Sequence, residues 1–156
     1  MIDTTVKVAD KLVGEYDIIP NPWIKEFYNE NQELISAEFH GITKIRSNAF
    51  NSCINLALTS LPAGVTSIGD SAFYNCTGLA LTSLPEGLTT ISFGAFQNCT
   101  SLTSITFKGT PTTIESIAFD GCTNLTEIKV PWSEGAVANA PWGATNATIT
   151  YNYVGE

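Results

Sequence analysis

The sequence predicts a β-rich α/β solenoid, an array of four 23-residue coils over residues 42–131 between an N-terminal cap (1–41) and a C-terminal cap (132–156). Three observations carry that prediction. Phe50, Phe73, Phe96 and Phe119 are spaced by 23 without an insertion, and four further columns keep the same step with identical residues. These are Ile45/68/91/114, Ala49/72/95/118, Cys53/76/99/122 and Leu56/79/102/125. A fixed period of this length marks a solenoid, in which no coil can bury its apolar face alone. Each copy also contains a stretch alternating between apolar and polar residues, and turn residues recur at fixed offsets.

The N-terminal cap is acidic. Residues 1–38 hold Asp3, Asp10, Glu15, Asp17, Glu26, Glu30, Glu33 and Glu38 against Lys7, Lys11 and Lys25. Asn21-Pro22 reads as a helix start, a cap followed by proline. The helix would continue through W-I-K-E-F-Y-N-E-N-Q-E-L, with Trp23, Phe27 and Leu34 facing inward. L-I-S-A-E-F-H-G then reads as a degenerate first strand, because Gly41 is in register with Gly64.

Within the coils, L-T-S-I-T-F-K (Leu102–Lys108) and L-T-E-I-K-V-P (Leu125–Pro131) alternate as half-buried strands do. Pro62, Pro85 and Pro131 end these strands, since proline cannot donate to a continuing ladder. Gly41, Gly64 and Gly87 are assigned the tight turns that follow. Val65-x-x-Ile68 and Leu88-x-x-Ile91 are second, short extended stretches on the opposite side. The A-F-x-x-C corner is too short for a regular helix and reads as a turn or a single helical turn. With strands about 4.8 Å apart, four coils make a rod about 20 Å long. Phenylalanine fills the wide corner, alanine permits close passage and cysteine acts as a small apolar plug. In the C-terminal cap, Ser133-Glu134 reads as the start of a short helix, Trp132 and Trp142 supply bulk, and A-T-I-T-Y-N-Y is a final strand.

Composition excludes several function classes. Charged residues are 14% of the chain and the formal net charge is −8. From Ile42 to Ser133 five acids face four bases, so no basic face for nucleic acid can be assembled. No apolar run approaches the roughly 20 residues of a membrane helix, and insertion is not expected. The opening M-I-D-T-T-V-K-V-A-D-K-L-V-G-E-Y lacks the regions of a signal peptide. Either export does not use that route or an upstream segment precedes it.

Catalytic and metal chemistry find little support. His40, the single histidine, sits directly before a glycine and no G-x-S-x-G elbow occurs, so it reads as a turn residue and not as a base. The four cysteines lack paired C-x-x-C spacing and histidine partners. Disulfides between neighbouring coils are not forbidden by distance, but free buried thiols are the favoured reading. Asp70, Glu86, Glu115, Asp120 and Glu127 fall in different columns, so no glycosidase pair can be assigned. Asn75-Cys76-Thr77, Asn98-Cys99-Thr100 and Asn146-Ala147-Thr148 fit the N-glycosylation pattern, two of them as by-products of the repeat. Neither an enzyme, a cofactor nor a metal is expected.

The remaining candidate is surface. Outward strand positions are Ser60, Ser83, Thr106 and Lys129, then Leu58, Leu81, Ser104 and Glu127. Leu58 and Leu81 allow two readings. Exposed, they form an apolar strip beside small hydroxyl residues; alternatively, the first two copies shift register and bury them.

The unit V-T-S-I-G-D-S-A-F-Y-N-C-T-G-L-A-L-T-S-L-P (Val65–Pro85) resembles the BspA-like leucine-rich repeat. The signature is an isoleucine, then A-F-x-x-C, a leucine, and a strand ending in proline, over roughly Ile42 to Pro131. The fourth copy departs with Pro111 at the Val65/Leu88 position and Lys108 for the strand-ending proline. The C-terminal tail also looks like a segment common after such arrays. BspA-like repeats occur in bacterial surface proteins involved in adhesion and in phage-associated proteins. The resemblance therefore implies a non-enzymatic binding or adhesion module for a protein or glycan on a cell surface. The alternative is a structural spacer or assembly element of a surface or virion complex. Either implies an extracellular, cell-surface or virion location.

Overall fold

The 23-residue columns close into a parallel β-solenoid in the computed structural model, which describes residues 5–8 and 23–155. Ahead of it stands a three-stranded antiparallel sheet of β1 (Thr5–Val8), β2 (Trp23–Tyr28) and β3 (Leu34–His40). The solenoid has two parallel ribbons. One holds β4 (Lys44–Ile45), β5 (Ser67–Ile68), β7 (Thr90–Ile91) and β9 (Thr113–Ile114). The other holds β6 (Ser83–Leu84), β8 (Ser104–Phe107), β10 (Glu127–Lys129) and β11 (Thr148–Thr150). The registers Ile45↔Ile68↔Ile91↔Ile114 and Leu84↔Phe107 keep the sequence period in three dimensions.

The core is built from the identity columns. Phe50, Phe73, Phe96 and Phe119 are fully buried and stack with ring centroids 5.3 Å apart and interplanar angles of 9°, 1° and 5°. Phe39 of β3 closes one end of the stack edge-on against Phe50 at 5.9 Å. Phe107, Trp132 and Trp142 pack around the other end.

Four expectations are corrected. Among the described residues there is no helix, so the array is β rather than α/β. Asn21-Pro22 lies outside the described residues, and the helix expected from Trp23 is instead the hairpin β2–β3. Its aromatic and β-branched run W-I-K-E-F-Y favours a strand. Asn29 then turns the chain: its Oδ1 accepts the Asn31 and Glu33 N–H groups at 2.9 and 3.0 Å, with Gln32 at φ 63°. At the other end the array runs one coil beyond the expected four. Val137 and Trp142 occupy the isoleucine and phenylalanine columns one period on, and β11 adds to β10 in parallel. Ser133-Glu134 starts a turn, closed by the Ala136 N–H on the Ser133 carbonyl at 3.0 Å, not a helix.

The A-F-x-x-C corner is a turn with one left-handed residue per coil, at Ser52, Asn75, Asn98 and Gly121. Asparagine and glycine tolerate that conformation best among the residues present. Asn75 and Asn98 therefore meet a backbone requirement, and Cys76 and Cys99 inside these two glycosylation patterns are fully buried.

Glycine needs separating by position. Gly41 sits at φ 68°, but Gly64 and Gly87 do not have positive φ, and a Cβ there would meet only ordinary contacts at 3.6 and 3.7 Å. Gly64→Ala and Gly87→Ala are each expected to stabilise by about 0.4–1 kcal/mol, read as a higher Tm. Gly109→Ala should do the reverse, because its Cβ would run into the backbone carbonyl group of Glu86.

None of the cysteines is in a disulfide, and Cys76, Cys99 and Cys122 do more than fill space. The Cys76, Cys99 and Cys122 thiols donate to the Phe50, Phe73 and Phe96 carbonyls at 2.9, 3.1 and 3.0 Å. Each bond ties a coil to its predecessor. Burial pushes Cys76 and Cys122 from the ordinary value of 9.0 up to about 12, and Cys99 further up. A thiol whose native pKa lies above its unfolded value stabilises the protein below that unfolded value. Its contribution disappears as pH rises through the native one. Stability should therefore fall between about pH 9 and pH 12 in alkaline unfolding. At pH 8 a thiol-disulfide reagent should modify half-buried Cys53 far faster than the other three. Equal rates for all four would contradict the buried ladder.

Candidate functional site

The candidate surface is the solvent face of the β6–β8–β10–β11 ribbon. Strand alternation points Ile105, Phe107 and Ile128 inward and sends their neighbours outward. Parallel pairing then aligns Ser83, Thr106, Lys129 and Thr150 in one row, and Ser104, Glu127 and Thr148 in a second. Six of the eight residues expected on this face remain accessible: Ser60 is exposed, and Ser83, Ser104, Thr106, Glu127 and Lys129 are half-buried. Ser60 lies on a limb of the first coil without strand pairing, so it is not in the ribbon.

Leu58 and Leu81 are core residues, at 6% and 1% exposure. The exposed apolar strip is therefore excluded, and the register-shift alternative holds. In the second coil the inward residues are Leu79, Leu81 and Leu84, whereas in the third they are Leu102, Ile105 and Phe107. The middle inward residue moves by one, leaving Thr82 exposed where Ile105 is buried. Two residues between Leu81 and Leu84 break the alternation, so β6 is only two residues long and the first coil has no strand here. The regular face is thus confined to the C-terminal coils.

There the side chains interact across coils. Ser104 Oγ donates to Glu127 Oε2 at 3.2 Å, and Lys129 Nζ lies 3.6 Å from the same oxygen. Lys129 also sits 5.1 Å from the Tyr153 ring centroid, within cation–π range. Thr106, Phe107, Lys108, Pro131, Tyr153 and Gly155 line a shallow depression of about 220 Å³ beside this cluster. The depression and the adjoining cluster together present a carboxylate, ammonium groups, hydroxyls and an aromatic ring, which suits polar recognition. Sequence reasoning missed Thr148, Thr150 and Tyr153. Counting one more period from Ile114 and Phe119 to Val137 and Trp142 reveals a fifth coil but places its outward residues two positions late, because Glu127 pairs with Thr148 and Lys129 with Thr150.

His40 is exposed on β3, with Nε2 3.9 Å from Glu38 Oε2. On the opposite ribbon many hydroxyls serve the fold. Thr66, Thr89 and Thr112 each donate to the threonine carbonyl one coil earlier, at 3.2, 3.0 and 3.0 Å.

Comparison with known proteins agrees with this architecture. Residues 24–139 match the model of the BspA type leucine rich repeat region, in six copies. That span reaches beyond Ile42–Pro131 at both ends, and the parallel ribbons likewise extend past Pro131 to β11. A leucine-rich repeat protein of T. pallidum is similar at 17% identity over 94% of this chain and 83% of its own, with a TM-score of 0.40. One from Bacteroides ovatus ATCC 8483 is similar at 18% identity over 83% of this chain and 46% of its own, with a TM-score of 0.30. No curated protein matches the chain. Leucine-rich repeat proteins are generally non-enzymatic protein-interaction modules, and no catalytic family is indicated. The repeat signature and its extent place the chain in the BspA-type leucine-rich repeat family.

Proposed function

We propose that the chain is an adhesion module that recognises a protein or glycan on a cell surface, with no catalytic role. The observation that carries this reading is the division of each coil. Five columns are identical through four coils, while outward rows change from Ser83 to Thr106 to Lys129 and from Ser104 to Glu127. Stability alone requires the first and not the second. The Ser104–Glu127–Lys129–Tyr153 cluster is a preorganised polar patch of the kind that orients a ligand. An extracellular, cell-surface or virion setting belongs to the same proposal.

The test uses labelled purified protein on intact bacterial cells, host cells and a glycan panel, beside a Ser83→Arg/Thr106→Arg variant. Saturable binding lost by the variant, with unchanged Tm, is the expected result. Absence of binding by two equally folded proteins would overturn the proposal in favour of a structural spacer.

A further inference from the structure

The β4–β5–β7–β9 ribbon carries a second feature, at its first coil. Lys44 and Arg46 flank buried Ile45 and both are exposed on the same side of the chain. Two residues of extended chain span about 7 Å, so the two side chains leave the ribbon close to one another. They are two of only four basic residues between Ile42 and Ser133. Arg46 forms no ion pair among the described residues.

The next coils leave room beside them. In the Arg46 column stand Gly69 and then Ser92; in the Lys44 column stands Ser67. Gly69 cannot carry a side chain, because its Cβ would lie 2.8 Å from the Arg46 carbonyl carbon and closer still to the Ser47 nitrogen. The result is a notch of about 280 Å³ lined by Lys44, Arg46, Ser47, Ser67, Gly69 and Ser92, with Ile45 and Ile68 beneath.

The hydroxyls of this notch differ from the others on the ribbon. Those of Thr66, Thr89 and Thr112 are committed to carbonyls between coils. Those of Ser47, Ser67 and Ser92 have no such bond among the described residues. The nearby Asp70 carboxylate is engaged by the Phe93 N–H at 3.2 Å.

We propose that this notch binds a tetrahedral oxyanion, a phosphate or sulfate group. Arg46 would supply a fork of donors to two of its oxygens and Lys44 a second positive charge. Ser47, Ser67 and Ser92 would supply hydroxyl donors around the same oxygens. This goes beyond the adhesion reading and does not depend on it, since the two surfaces lie on opposite ribbons.

The test is an NMR titration of the whole chain with inorganic phosphate and inorganic sulfate at low ionic strength, with chloride as control. Saturable shifts confined to residues 44–47, 67–69 and 92 are expected. Arg46→Gln should weaken binding at least about tenfold, as loss of a charge-assisted hydrogen bond does. Arg46→Lys should retain part of it, and Ser83→Arg/Thr106→Arg should bind as the parent does. Shifts equally produced by chloride, unchanged in a folded Arg46→Gln variant, or absent altogether would overturn the proposal.

Discussion

Replacing Phe96 by alanine is expected to destabilise the protein by about 3–5 kcal/mol, the usual cost of emptying a buried aromatic site. Phe96 is fully buried and stacks on Phe73 and Phe119, both at 5.3 Å. Its neighbours are fixed to their own coils by the backbone ladder, so they cannot slide in to fill the void. Against a typical total of 5–15 kcal/mol this is a large fraction. The position matters as much as the size. In a solenoid each coil contacts only its neighbours, so a central cavity weakens coupling between the halves. Denaturant unfolding should show an earlier midpoint, and loss of cooperativity should lower the apparent slope. A change below 1 kcal/mol would contradict the stacked core.

Trp142→Ala should have a comparable magnitude and a different distribution. Trp142 is fully buried in the last coil, its Nε1 donates to the Ala138 carbonyl at 2.8 Å, and its own carbonyl accepts the Phe119 N–H at 2.8 Å. It also packs 6.1 Å from Trp132 and 6.2 Å from Phe107. Truncation should release the fifth coil first. Hydrogen exchange would then show lost protection at Thr148–Thr150 while β5 and β7 stay protected. Trp142→Phe should keep the column filled and lose about 1 kcal/mol with the indole bond. Uniform loss of protection along the chain would show that the final coil is not an independent end. Because β11 borders the candidate binding face, the alanine variant should also weaken binding there without altering any residue of the patch.

Legibility differed between interior and ends for a physical reason. Where five columns repeat, each residue faces the same neighbours in every coil, and spacing alone locates Ile68, Phe73, Cys76 and Leu79 in the core. At the N terminus no column repeats. There W-I-K-E-F-Y-N-E-N-Q was open to helix or hairpin, and the hydrogen bonds around Asn29 decided for the hairpin. At the C terminus the period survived only in Val137 and Trp142, while β11 pairs with β10 two residues short of the repeat. Both chemical identity and coil length changed there, so the period alone does not give the register.

By itself, the sequence determined the solenoid, its period and the buried columns, because those follow from repetition. Only the tertiary structure decided the face. Leu58 and Leu81 turned inward because three leucines at their spacing fill the coil better than strict alternation would expose them. Tyr153 came beside Lys129, and Arg46 beside Ser67 and Ser92, because stacking joins residues from different coils. Such neighbours share no local sequence signal, and only the packed register brings them together.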